Sequence, residues 1–304
     1  MNLTIDFNPY VSGNRIYDII NYSAGEYQVR INPEHIESIE ESSIITIRAM
    51  LAAAKEPFLH ENLMKLLLLS DALHGINQKA EQRLELPYLP YSRGDRRFVD
   101  GDCHGLATFG CVLRAGEFRE VVTLDVHSPS KAGMFIDNLI NVYPVNAIKN
   151  SLEHFQDRIG TKGVTVLFPD AGASRRYKKI MPEGIQCLHA SKKRNPVYGV
   201  FEGFEVPAKE LYEHNAVLIV DDLCDAGGTF LGIAKAMHES GHYPRLGLYV
   251  THGLFSKGTE QLKSVFEYIY ASNSYTNIYQ NSVKTYDAFG EMADPSNPRS
   301  GDDE

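Results

Sequence analysis

VLIVDDLCDAGGTF, Val217 to Phe230, decides how the chain must fold. Its apolar run Val217–Val220 shows no alternation, so it reads as a strand buried on both faces, as in a parallel sheet. The run ends in paired carboxylates, Asp221 and Asp222, and passes through Asp225 and two glycines into a helical pattern. A strand end needs neither a second acid nor so much bare backbone beside it. Where a parallel strand gives way to a helix, backbone N–H groups point outward and favour anions, and glycines let a phosphate approach. On that reading Asp225, Ala226, Gly227, Gly228 and Thr229 cradle a phosphate. Asp221 and Asp222 take sugar hydroxyls or a hydrated magnesium ion. The plainer alternative is a helix capped by Asp225 with two solvated acids beside it. No GxxxxGK[ST] loop occurs, so the stretch is not a P-loop.

Outward from this stretch the chain alternates strand and helix. LTIDF, RIYDII, EYQVRI and SIITIRA are short runs rich in β-branched and aromatic residues and read as strands. HENLMKLLLLSDALHGI places Leu63, Leu66, Leu67 and Leu73 near helical spacing. RLELPYL, REVVTLDVH, GVTVLFPD and RLGLYVTHG read as further strands, and CHGLATFGCVLRAG, VNAIKNSLEHF, SRRYKKIM and GTFLGIAKAMHESG as the helices between them. The rhythm implies an α/β protein of two units joined near Tyr143 to Asn146, each a mostly parallel sheet flanked by helices. The expected boundaries are 1–145, 146–290 and a polar tail, 291–304, whose PSNPRSGDDE composition predicts disorder.

Composition narrows the class. The 304 residues suffice for two domains, and 43% are hydrophobic, as a packed core requires. With 30 Lys and Arg against 39 Asp and Glu, the formal charge of −9 excludes general binding to nucleic acid or an anionic membrane. The four cysteines form no CxxC pair, which suits a reducing compartment and no zinc site. MNLTIDFNPY carries no basic-then-apolar leader, and no apolar run approaches the ~20 residues of a membrane span. A cytoplasmic protein is expected.

Four weaker patterns accompany the central one. In VVTLDVHSPS, Asp125 and His127 stand at i and i+2 at a strand end, which puts both on one face, where they could reach one metal or phosphate. Asp170 ends another strand in VLFPDAGAS, before small residues. HASKKRNP carries Lys192 and Arg194, and YSRGDRR carries Arg93 and Asp95. Each alone is also what a satisfied histidine, a capped turn or a solvated charged loop looks like.

Taken in order, these patterns resemble one family. VLIVDDLCDAGGTF resembles the phosphoribosyl-pyrophosphate loop of type I phosphoribosyltransferase folds. ENLMKLLLLSDAL is similar to the NDNLMELLLMIDAL helix of the ribose-phosphate diphosphokinases, the phosphoribosyl-pyrophosphate synthetases. LPYLPYSRGDRR is similar to their IPYFPYARQDRK, DVHSPS to DLHASQ, PDAGAS to PDAGG, SKKR to a K-x-R catalytic loop and VTHGLFSKG to ATHGVLSGPA. NYSAGEYQVRI resembles FSDGEVNVEI, and the likeness runs from about Tyr22 to Asn277.

The resemblance implies two tandem phosphoribosyltransferase-like domains and a magnesium-dependent transfer of the β,γ-pyrophosphoryl group of ATP to ribose 5-phosphate, with AMP leaving. It implies that Asp225 to Thr229 hold the 5-phosphate and that Asp221 and Asp222 hold the ribose hydroxyls. Tyr22, Glu26, Arg93 and Asp95 would meet ATP, His127 and Asp170 the magnesium, and Lys192 and Arg194 would close on the reacting phosphates, with His127 also near the chemistry. It further implies a homo-oligomer, dimer to hexamer. The chain departs from the pattern at Gly94, at Ala24, at FVDGD after Arg97 and at Ala226, where the family has a threonine. Ala226 keeps open a larger acceptor such as ADP-ribose. A phosphoribosyltransferase would explain the 217–230 stretch but not the first unit, and a catalytically silent homologue should have lost Lys192 and Arg194.

Overall fold

The computed structural model describes residues 1–7, 15–52, 58–194, 201–211, 215–275 and 283–300. It divides into two units, 1–143 with 292–304, and 144–291.

In the first unit five strands run parallel in the order β1 (Asn2–Phe7), β4 (Ile44–Ala49), β5 (Glu81–Glu85), β6 (Glu120–Leu124) and β7 (Leu139–Val142). Between β1 and β4 the chain makes an antiparallel hairpin, β2 (Tyr17–Asn21) with β3 (Tyr27–Ile31), and the short helix α1 (Ile36–Glu40). The later crossovers carry α2 (Leu59–Ile76), α3 (Gly105–Leu113) and the single turn α4 (Pro129–Ala132). The leucines spaced for a helix, Leu63, Leu66, Leu67 and Leu73, are all buried on α2. Tyr27 of β3 lies on that helix, its hydroxyl 2.6 Å from Glu61 Oε2 and its ring under Lys65 Nζ.

Residues 294–300 correct the expectation of a disordered tail. Arg299 forms an antiparallel bridge with Val142. Tyr143 N–H donates to Pro298 O (2.9 Å), and Ser300 N–H donates to Asn141 O (2.8 Å). Asn297 is buried. The segment covers the open edge of β7, whose backbone groups would otherwise face water. Residues 301–304 lie outside the described residues.

The second unit opens with α5 (Val145–Ile159). Ala147, Ile148, Leu152 and Phe155 give it one buried stripe, and Gly160, at φ +76°, ends it. Then come β8 (Thr165–Phe168), α6 (Ala171–Tyr177), β9 (Gln186–His189), and an antiparallel hairpin of β10 (Ser191–Arg194) and β11 (Phe201–Glu205). After the turn α7 (Ala208–Leu211) follow β12 (Ala216–Cys224), α8 (Gly228–Glu239), β13 (Arg245–Gly253), α9 (Glu260–Lys263), β14 (Tyr268–Ser272), β15 (Lys284–Tyr286) and α10 (Ala288–Ala293). The sheet is parallel throughout, in the order β15-β14-β13-β12-β8-β9.

β12 lies inside this sheet, as its unbroken apolar run requires. Val217 and Ile219 enter one core, and Leu218 and Val220 enter the other, all fully buried. Burying each such side chain contributes about 1.5–3 kcal/mol. β8 is followed by its neighbour on one side, whereas β12 starts a succession that winds the opposite way. The winding therefore reverses between β8 and β12, and such a reversal opens a crevice at the carboxyl ends of the two strands. Among the described strands, the first unit's sheet has no equivalent reversal.

Candidate functional site

Every feature that made VLIVDDLCDAGGTF unusual lies at that reversal. Asp222 is 5% exposed, and its Oδ2 lies 3.2 Å from Arg176 Nη1 on α6, itself nearly buried. Arg176 also stands against the Tyr177 ring, 5.5 Å from its centroid. Asp221 is partly buried and accepts the Asp222 N–H through Oδ1 at 3.0 Å. Burial, then the neighbouring Asp222 charge, pushes the Asp221 carboxyl well above the usual carboxylate range, and Arg176 only partly offsets this. The two acids are therefore not a solvated pair. One is locked to a guanidinium and the other holds its proton more tightly than usual.

The turn that follows is not capped as the plainer alternative required. Asp225 Oδ1 accepts the Ser256 hydroxyl at 2.6 Å, and Asp225 O accepts Ser256 N–H at 3.1 Å. The residue preceding α8 is Gly227, at φ +82° and ψ 0°, and no side chain caps the helix. A Cβ at Gly227 would lie 2.9 Å from Leu262 Cδ2, so both the backbone angle and the space call for glycine. At Gly228 a Cβ would meet nothing within 4 Å, so the head of α8 is open at this position. Ala226 and Thr229 flank this opening and are partly exposed. Behind it Cys224 is fully buried, and burial, with the charges of Asp221 and Asp225, pushes its thiol up to about 12. The uncapped head of α8 thus lies beside a pair of acids.

Asp170 follows β8, on the other side of the reversal. Its Oδ1 caps α6 by accepting from Gly172 N–H (2.9 Å) and Ala173 N–H (3.0 Å), and the residue is exposed. Lys192 is exposed on β10, paired opposite Phe204, and the register shifts between Lys193 and Arg194. The expected catalytic loop is thus the first strand of a hairpin. Phe204 approaches α8 at Gly232, where an added Cβ would lie 2.7 Å from its ring, so the absent side chain makes room for the hairpin. The Arg194 side chain, like residues 195–200, lies outside the described residues.

The remaining candidates belong to the first unit. Tyr22 and Glu26 bound the turn of the β2–β3 hairpin, where Tyr22 N–H donates to Glu26 O and Gly25 takes φ +84°. Both are exposed, and the Tyr22 hydroxyl bonds Gln28. Arg93 is exposed on the loop after β5. Asp95, two residues on, is buried, with Oδ2 2.6 Å from Lys131 Nζ. Burial alone would raise the Asp95 carboxyl, but Lys131, the Ser128 hydroxyl and nearby His127 hold it below its usual value. This pair fastens the Arg93 loop to the His127 loop.

The shared strand face expected for Asp125 and His127 is not formed. β6 ends at Leu124, Asp125 turns to φ +48° and is fully buried, and His127 emerges exposed. Asn141 accounts for the break, since its Oδ1 accepts the Val126 N–H at 2.7 Å and draws the chain off the strand path.

Sequence reading missed Arg176, Lys131 and Ser256. Arg176 sat in SRRYKKIM, an ordinary charged helix until β8 is known to neighbour β12. Lys131 and Ser256 each join two motifs that were read singly, and no local pattern pairs them.

No group of three or more His, Cys, Asp or Glu able to hold a metal occurs among the described residues. Magnesium is usually held by one or two carboxylates together with substrate phosphates. The exposed carboxylate of Asp170 fits that chemistry as an oxygen donor at the crevice, whereas Asp222 is held by Arg176 and Asp221 retains its proton. No helix among the described residues is long and apolar enough to cross a membrane.

Comparison with protein-family models finds no match. Among curated proteins, a ribose-phosphate pyrophosphokinase of Pyrococcus abyssi is 31% identical over 230 residues, 74% of this chain and 76% of the relative. That of Methanopyrus kandleri is 30% identical over 262 residues, 84% of this chain and 82% of the relative. Among solved structures, phosphoribosylpyrophosphate synthetase from Mycobacterium smegmatis matches with a TM-score of 0.72 at 16% identity, covering 96% of this chain and 98% of that one. This last likeness concerns the fold.

Proposed function

The chain belongs to the ribose-phosphate pyrophosphokinases, and on that premise we propose that it transfers the β,γ-pyrophosphoryl group of ATP to the anomeric hydroxyl of ribose 5-phosphate, releasing AMP. The observation that carries the reading is the uncapped Gly227–Gly228 turn beside the buried Asp222–Arg176 pair, at the point where the strand order reverses. A phosphate monoester fits the open N–H groups at the head of α8, as anions do at helix N-termini. Asp221 and Asp222 then stand one strand end away, as acceptors for two ribose hydroxyls.

Pyrophosphoryl transfer asks little covalent work of a protein and depends on positioning and charge neutralisation. Lys192 and Arg194 supply cations for charge that builds on the transferring group, Arg93 meets the ATP phosphates, and Tyr22 and Glu26 border the nucleotide. His127 and Asp95 act from the loops that Lys131 ties together. Magnesium, with Asp170 as a protein ligand, would neutralise phosphate charge when bound. We take the working form to be a cytoplasmic homo-oligomer, dimer to hexamer; a fully active monomer by light scattering would contradict this.

Ala226 is the difference that bears on the acceptor. A threonine there would offer one more hydroxyl to a phosphate monoester, a bond to a charged group worth about 1.5–3 kcal/mol. The backbone N–H groups at the head of α8 serve that phosphate without it, so ribose 5-phosphate stays the first choice and ADP-ribose stands second. Phosphorus NMR of the products from ATP with each acceptor separates them. Ribose 5-phosphate should give a new pyrophosphate ester and AMP; a reaction with ADP-ribose alone would transfer the assignment to that acceptor, and reaction with neither would remove it.

A further inference from the structure

The opposite end of the second unit's sheet holds a cavity of about 600 Å³, within the range of small-molecule sites. Its wall includes the first residues of β14 and β15, Tyr268 and Lys284, with Arg158 from the last turn of α5 and Lys263 from α9. The Asp221–Thr229 turn lies at the carboxyl ends of the same parallel strands, so none of these residues has a part in the reading above.

The charge on this wall runs against that of the protein, whose formal net is −9. Arg158 and Lys284 are exposed and form no ion pair among the described residues, while Lys263 shares Glu260 at 3.5 Å. The single carboxylate on the wall, Glu267, is held by Arg245, with Nε and Nη2 at 2.5–3.1 Å, which leaves the cations in excess. Three cations on three separate elements suit a ligand with more than one phosphate. Beside the cations the half-buried Tyr268 ring stands nearly perpendicular to His154, 5.8 Å between centroids, over the buried Phe266, Ile269 and Val283.

His154 reports on this charge. Its Nδ1 pairs with the Tyr270 hydroxyl at 2.9 Å. Burial, then Lys284 and Arg158, lowers its pKa, and Asp157 opposes them. The cations therefore face the imidazole closely enough to be felt, and an anion settling among them would reverse the effect.

We propose that this cavity is a second ligand site, which binds an oligophosphate through Arg158, Lys263 and Lys284 and accepts a nucleobase against Tyr268 when the oligophosphate is a nucleotide. The test follows His154 by NMR in the full-length protein carrying labelled histidine, with its signal assigned by His154→Gln. The pH titration is repeated with saturating pyrophosphate, with ADP, and with sodium chloride of equal ionic strength. An opposite charge within about 4–6 Å moves a pKa by about one unit or more. Pyrophosphate and ADP should each raise the His154 pKa by about that much, while chloride leaves it unchanged. A rise with ADP alone would support the site and make the base essential to it; a rise with pyrophosphate alone would support it for base-free oligophosphates. In the double variant Arg158→Ala, Lys284→Ala the rise should vanish while ATP-dependent AMP release persists. No rise with either anion, or the same rise in the double variant, would overturn the proposal, whatever acceptor the sugar site takes.

Discussion

Asp221 shows what a strand-end carboxylate gives up to be useful. In the unfolded chain its carboxyl ionises near pH 4. In the folded chain burial and Asp222 move that ionisation to higher pH. The native state therefore holds the extra proton across that interval, and stability falls as pH rises through it. Asp221→Asn removes this penalty. The variant should be more stable than the parent at pH 8, by more than the ~0.5 kcal/mol typical of surface substitutions. The gain should vanish near pH 4, as urea unfolding at the two pH values would reveal. Equal gains at both would mean that ionisation is not the cause. Lys192 is the opposite case, exposed and outside any core. Lys192→Ala should keep the melting temperature and lower turnover by about 10²–10³-fold, the usual cost of losing one preorganised transition-state contact. Near-normal turnover at saturating ATP and magnesium would remove the residue from the chemistry. The identity of both residues was legible in the sequence, but their state was not. The Asp222–Arg176 contact depends on which strands are neighbours, and no local pattern carries that.

Among the elements, the β12–α8 junction was the most legible. A short apolar run without alternation, bounded by acids and glycines, reads as an inner strand, and two glycines before a helical pattern mark a close approach to backbone. The β6 end was misread, because an i, i+2 pair shares a face only while the strand lasts, and Asn141 ends it from fifteen residues away. The two junction glycines separate packing from binding. Gly227→Ala places a side chain at φ +82° and 2.9 Å from Leu262, so it should cost about 1–2 kcal/mol of stability as well as acceptor affinity. Gly228→Ala meets open space in the first turn of α8 and should leave stability unchanged or raise it by up to about 1 kcal/mol. It should still raise the KM for ribose 5-phosphate about tenfold or more, since a methyl at the head of α8 would crowd a phosphate held there and each lost charged hydrogen bond costs about 1.5–3 kcal/mol. Melting curves and acceptor KM values decide the matter: an unchanged KM in Gly228→Ala would mean that the turn is structural only.

Over the whole molecule, the alternation of strand and helix made two α/β units legible, but the path by which the chain closes the first of them was not. Pro, Gly, Ser and Asp in PSNPRSGDDE have the composition of a solvated tail, yet backbone N–H and C=O groups pair regardless of side chain, and 298–300 use theirs on the edge of β7. Truncation after Ala293 removes that cover and the buried Asn297. It should lower the melting temperature by several degrees and promote association through the bared edge. An unchanged melting curve and light scattering would show the segment to be dispensable. We propose that the crevice where the sheet reverses receives a ribose bearing a 5-phosphate. The decisive experiment compares the rate of AMP release from ATP with ribose 5-phosphate and with unphosphorylated ribose, in the parent and in Asp222→Asn. AMP should appear with ribose 5-phosphate, fall at least tenfold without the 5-phosphate, and fall at least as far in the variant, one charged contact being worth about that factor. Release that ignores the 5-phosphate, or that survives Asp222→Asn unchanged, would contradict it.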